Sequence, residues 1–137
     1  MYSNSAITYD KEAELAYIYV IPPINQPSTV ELTEDLEVNE NISLDINKQN
    51  LIVGMEIFGE LANDISKLAG SKKIYKKTAR NKKEIYSFRL YDLETSNSFE
   101  FNGILFCFAD DNYEKFLGYD VIDIEKYKAE LLNQYTI

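Results

Sequence analysis

The chain contains no histidine, and that narrows its chemistry at once. Without an imidazole there is no Ser-His-Asp or Cys-His pair, and no histidine-bearing metal site. One thiol, 23 carboxylates and a block of cations remain. Cys107 lies in Ile104-Leu105-Phe106-Cys107-Phe108, where a free thiol usually acts as a small apolar filler and burial keeps it protonated. A lone cysteine also rules out an internal disulfide. No spacing singles out a catalytic pair among the carboxylates, so no catalytic residue, cofactor site or metal site is assigned.

One pattern imitates a metal site. Asp45-Ile46-Asn47-Lys48-Gln49-Asn50-Leu51-Ile52-Val53-Gly54-Met55-Glu56 places oxygen ligands where a calcium loop has its first, third, fifth and twelfth positions. A calcium loop needs a helix on each side, whereas the flanks here alternate as strands. Glu56 then reads as a strand carboxylate opposite Asn41, either solvated or available to a basic partner.

Charge is distributed in blocks. The net charge is −9. Residues 1–71 hold 12 acids and 3 bases, residues 72–83 hold 7 bases and no acid, and residues 84–137 hold 11 acids and 4 bases. An acidic body repels nucleic acid and anionic membranes and favours basic partners. The basic segment 72–83, with Tyr75 inside it, is the one place suited to gripping phosphates and stacking a base. Otherwise it is a solvated linker or arm.

These groups need elements to position them. Ile7–Tyr9 and Leu15–Ile21 are rich in β-branched and aromatic residues, with the polar 10–14 turn between them. Apolar residues on both faces of Leu15–Ile21 predict an interior strand. Pro22, Pro23 and Pro27 end it, and even spacing of Val30, Leu32, Leu36 and Val38 predicts a third strand within 29–38. The hairpin Asn41–Phe58 is predicted to pair Ile46 with Leu51, Leu44 with Val53 and Ile42 with Met55. That keeps one face apolar and the other polar but for Ile52, and sets Asp45 and Glu56 far apart along the ladder. Leu61, Ala62, Ile65, Leu68 and Ala69 recur at helical spacing before Gly70, predicting a helix from about Glu60 to Ala69.

The second half returns to strands at Tyr86–Leu90, Phe99–Phe101 and Ile104–Ala109, the last two joined by Asn102-Gly103, a strong hairpin signal. Asp111 and Glu114 resemble a capping box for one helical turn ending at Gly118. Asp123 is placed to cap a final helix with Ile124, Tyr127, Leu131 and Tyr135 on one face.

Two motifs carry a resemblance: Tyr9-Asp10-x-Glu12-Ala13 with Tyr17-Ile18, and Leu44-Asp45 followed by Val53-Gly54-Met55-Glu56-Ile57. Over about residues 7–60 the chain resembles the family catalogued as domain of unknown function 2283. The resemblance implies a small antiparallel sheet and no defined reaction. The association of some members with small toxins implies an antitoxin or inhibitor role.

The expected fold is therefore α+β, a mainly antiparallel sheet of meander and hairpins with two or three helices packed on it. It forms one domain, 1–137, with an internal boundary near 70–83. At 45% hydrophobic and 27% charged residues the composition is globular. No apolar run reaches the ~20 residues of a membrane span, and Met1–Ser5 is unlike a secretory signal, so a cytoplasmic protein is expected. Eleven tyrosines and seven phenylalanines favour self-association as well as a core. The expected function is a protein-binding or regulatory module, antitoxin-like or inhibitor-like, with a basic protein as partner. The alternatives are nucleic-acid contact through 72–83 and a carboxylate-based enzyme.

Overall fold

A computed structural model describes residues 5–23 and 30–137. The proposed breaking role of Pro27, and Thr29 at the start of the third strand, lie outside the described residues. The chain forms two compact units, residues 1–73 and 74–137, and is α+β with mainly antiparallel strands.

In the first unit, β1 (Ile7–Asp10), β2 (Leu15–Tyr19), β3 (Val30–Leu36), β4 (Asn39–Asn47) and β5 (Ile52–Phe58) form a five-stranded sheet of order β1-β2-β5-β4-β3. Asp10 shapes the first turn, its Oδ1 accepting from the Glu12 amide at 3.1 Å and the Ala13 amide at 3.3 Å. β2 lies inside the sheet as expected, between β1 and β5. Its Ala16 and Ile18 are fully buried, while Leu15, Tyr17 and Tyr19 on the opposite face are half-buried. Helix α1 (Gly59–Ile65) buries Ala62 and Ile65 and is shorter than the expected 60–69 helix, its last part tightening into a 3-10 turn (Ser66–Leu68) before Ala69 becomes extended.

The β4–β5 hairpin forms in a different register from the one predicted. Ile42 faces Ile57, Leu44 faces Met55 and Asp45 faces Gly54, after which Ile46 faces Ile52. The ladder is slipped by two residues from the expected one, and Val53 is left over as a bulge. A slip of two keeps every side chain on its own face, so hydrophobic alternation cannot distinguish the two registers. The bulge turns Ile52 toward the apolar side, where it is fully buried.

In the second unit, β6 (Lys76–Arg80), β7 (Lys83–Arg89), β8 (Asn97–Phe101), β9 (Ile104–Phe108) and β10 (Phe116–Val121) form a sheet of order β6-β7-β10-β9-β8. Three expectations are corrected here. First, residues 76–83 of the basic segment are not a linker or arm: they supply β6, hairpinned to β7 through Asn81 and Lys82 at φ 53° and 67°, while Lys72 and Lys73 precede the strand. Second, no helical turn forms after Asp111. Asp110, not Asp111, organises a loop by accepting from the Glu114 and Lys115 amides, and Gly118 lies inside the buried strand β10.

Third, the final helix is broken into α2 (Ile124–Tyr127) and α3 (Ala129–Asn133) by Lys128 at φ 66°. Tyr127 and Leu132 are both fully buried. Five residues apart on a continuous helix, they would point about 140° from each other, so the break lets both reach the core. Asp123 does cap α2, accepting from the Lys126 amide at 3.0 Å. Asn102 and Gly103, at φ 51° and 80°, make the expected turn between β8 and β9.

Candidate functional site

The polar face of the first sheet gathers the motif residues. On it, two neighbouring rows run across four strands. One row reads Tyr17, Glu56, Ser43, Asp35 and the next reads Tyr19, Gly54, Asp45, Thr33, each from β2, β5, β4 and β3 in turn. Glu56 therefore faces Ser43 rather than Asn41. Asp45 and Glu56 occupy adjacent rows rather than distant ones, because the two-residue slip moves β5 along β4.

Tyr17 does not stand upright. It leans diagonally over Gly54 and donates its hydroxyl proton to Asp45 Oδ2 at 2.8 Å. A β-carbon at position 54 would fall on the Tyr17 ring, so glycine is required here by close approach rather than by backbone conformation. The Thr33 hydroxyl donates to Asp45 Oδ1 at 2.6 Å. Asp45, only 7% exposed, thus has a partner on each oxygen, as a buried carboxylate requires. In the other row, Ser43 donates to Asp35 at 2.8 Å. Tyr17 and Tyr19 meet edge-to-face, their ring centroids 4.8 Å apart.

The electrostatics are one-sided. Burial, the hydrogen bond to Asp45 and the charge of Asp45 all push the Tyr17 hydroxyl pKa far up, so it remains a donor. Glu56 is raised above its ordinary value of 4.5 by burial first and the Asp45 charge second. Both influences favour the neutral acid. The face is thus a set of hydroxyls and carboxylates beside two tyrosine rings, suited to a cation that can also lie against an aromatic surface.

The calcium-like stretch Asp45–Glu56 runs along β4, a turn and β5. Asn47 serves that turn, its Oδ1 accepting from the Gln49 and Leu51 amides. Among the described residues no group of three or more acidic, cysteine or histidine side chains is arranged to hold a metal ion.

In the second unit, Tyr75 is fully buried, not stacked on the surface. Its hydroxyl lies 2.8 Å from that of Tyr119 and its ring packs with Tyr86, Tyr119 and Tyr135. The basic segment therefore has no ring to offer a base at that position. The five bases of residues 76–83 belong to the β6–β7 hairpin and are exposed. Arg89 makes a two-pronged pair with the buried Asp120. Cys107 is buried, its thiol pKa pushed up chiefly by burial, with the Arg89 charge opposing, as suits a packing residue.

Sequence reading found Asp45 and Glu56 but missed their proximity, and it assigned no role to Tyr17, Thr33 or Ser43. The motif itself held the signal: a glycine opposite an aspartate, with a tyrosine on the next strand.

Residues 6–60 match the family described as protein of unknown function (DUF2283), and the chain belongs to that family. It is similar to "Uncharacterized protein YuzE" of Bacillus subtilis (strain 168), 36% identical over 132 residues that span 96% of this chain and 97% of that protein. The family match ends at residue 60, whereas the similarity to this relative extends through the second unit. No solved structure matches the chain. Among the described residues no helix is long and apolar enough to cross a membrane.

Proposed function

We propose that this chain is a binding module whose acidic, tyrosine-bearing sheet face receives a basic segment of a protein partner. The carrying observation is geometric: Glu56 and Asp45 stand in neighbouring rows of one sheet face, beside the paired rings of Tyr17 and Tyr19. Two carboxylates on one face repel, and an arginine or lysine side chain from a partner relieves that repulsion while lying against Tyr17 and Tyr19. An antitoxin-like or inhibitor-like role fits this mode of contact, because covering a partner's basic surface is a direct way to neutralise it.

The test is a titration of the isotopically labelled full chain with an arginine-rich peptide, followed by amide chemical shifts. Shifts centred on Tyr17, Tyr19, Ser43, Gly54 and Glu56, lost in Glu56→Gln combined with Asp35→Asn, support the reading. Shifts confined to other surfaces, or none, contradict it.

The nucleic-acid alternative now rests on charge without a stacking ring, that of Lys72, Lys73 and the β6–β7 hairpin, since Tyr75 is in the core. Binding through that hairpin would fall steeply with salt and be indifferent to Glu56→Gln.

A further inference from the structure

We propose that the chain self-associates by joining two oppositely charged sheet edges, β3 of one copy adding to β6 of a second copy. Among the described residues each of these strands has one hydrogen-bonded neighbour strand, β4 for β3 and β7 for β6, and the parallel bridge from Thr136 engages Tyr75, the residue before β6. Each is exposed along its length apart from Leu36. A free strand edge offers a row of unpaired amides and carbonyls, and the usual outcome is either protection or strand addition.

Edge charge is commonly protective because like edges repel. Here the signs differ. β3 reads Val30-Glu31-Leu32-Thr33-Glu34-Asp35-Leu36, carrying three acids and no base, while β6 reads Lys76-Lys77-Thr78-Ala79-Arg80, carrying three bases and no acid. Two β3 edges repel and two β6 edges repel, which leaves β3 against β6 as the attractive pairing of these edges. The other two edges, β1 and β8, carry one acid each and no run of charge.

Apolar surface at the same edge supports the assignment. Val30 and Leu32 are 42% and 46% exposed, apolar surface against which the aliphatic stems of an added strand's lysines can pack. The contact is heterologous, so it closes into a ring where the rotation between copies permits and otherwise propagates into a longer assembly.

Charge reversal provides the test. The full chain is compared with Glu31→Lys plus Glu34→Lys on one edge, and with Lys76→Glu plus Arg80→Glu on the other, by sedimentation at low and physiological salt. The substituted residues are exposed, and circular dichroism verifies that each variant folds. The natural chain is expected to self-associate more strongly at low salt, and each reversed variant alone about tenfold or more weakly. Mixing the two reversed variants then produces a mixed complex, because each supplies the edge the other repels in itself.

A natural chain that is monomeric at every concentration overturns the proposal. So does self-association indifferent to both reversals, or a folded pair of variants that fail to combine. Glu56→Gln is expected to leave this self-association unchanged, so its failure and that of the basic-partner reading are separately visible.

Discussion

The Tyr17 hydroxyl on β2 donates to the Asp45 carboxylate on β4 at 2.8 Å, reaching across β5 over the bare α-carbon of Gly54. With Thr33 on β3 donating to the other carboxylate oxygen, a single aspartate links three strands and passes over a fourth. This explains physically why a tyrosine, an aspartate and a glycine occur together in the motifs: each is needed for the other two to fit.

Tyr17→Phe removes one of the two donors to a buried carboxylate. The expected loss is about 1–3 kcal/mol of unfolding free energy, measured by chemical denaturation. A change within error would mean that solvent replaces the hydroxyl.

Gly54→Ala places a methyl group where the Tyr17 ring lies. It should cost about 1–3 kcal/mol in the natural background through overpacking. In a Tyr17→Ala background the cost should shrink, because the obstructing ring is gone. A double-mutant cycle reads this coupling directly. Equal costs in both backgrounds would place the strain elsewhere.

Glu56 gives a pH dependence of definite sign. Its folded pKa lies above the ordinary value of 4.5, so the native state holds the proton more tightly than the unfolded chain. Stability therefore falls as pH rises from 4.5 through the higher folded value. Glu56→Gln, which mimics the protonated acid, should raise the melting temperature at about pH 7 and have little effect at about pH 4. A variant equally or less stable at both pH values would show that neither burial nor the Asp45 charge burdens the ionised Glu56.

Tyr75→Ala should destabilise the second unit by about 3–5 kcal/mol, since it empties a fully buried aromatic site. Were Tyr75 a surface ring in a basic arm, the same change would leave thermal unfolding untouched. Circular dichroism melts separate the two.

How far the sequence discloses this arrangement varies with the element. The Asn102-Gly103 turn and the α1 helix are legible because their signals are local: a dipeptide that tolerates positive φ, and a 3.6-residue period. The β4–β5 register is not, since alternation has period two and a slip of two residues leaves it intact. β6 is hidden for another reason. Its residues are all exposed, so nothing selects an apolar alternation, and its turn uses Asn81-Lys82 in place of the usual glycine. The candidate site suffers from the register error most of all. Asp45 and Glu56 are both conspicuous in the sequence, but their adjacency depends on the two-residue slip.

Receipt of a cation is the function proposed for this face. Calorimetric titration of the full chain with an arginine-rich peptide, repeated in two buffers of different ionisation enthalpy near the titration range of Glu56, tests it most directly. Binding accompanied by proton release is predicted, because a bound cation favours the ionised acid, and Glu56→Gln should abolish that release. Binding with no proton exchange, or release unchanged in Glu56→Gln, would contradict the account.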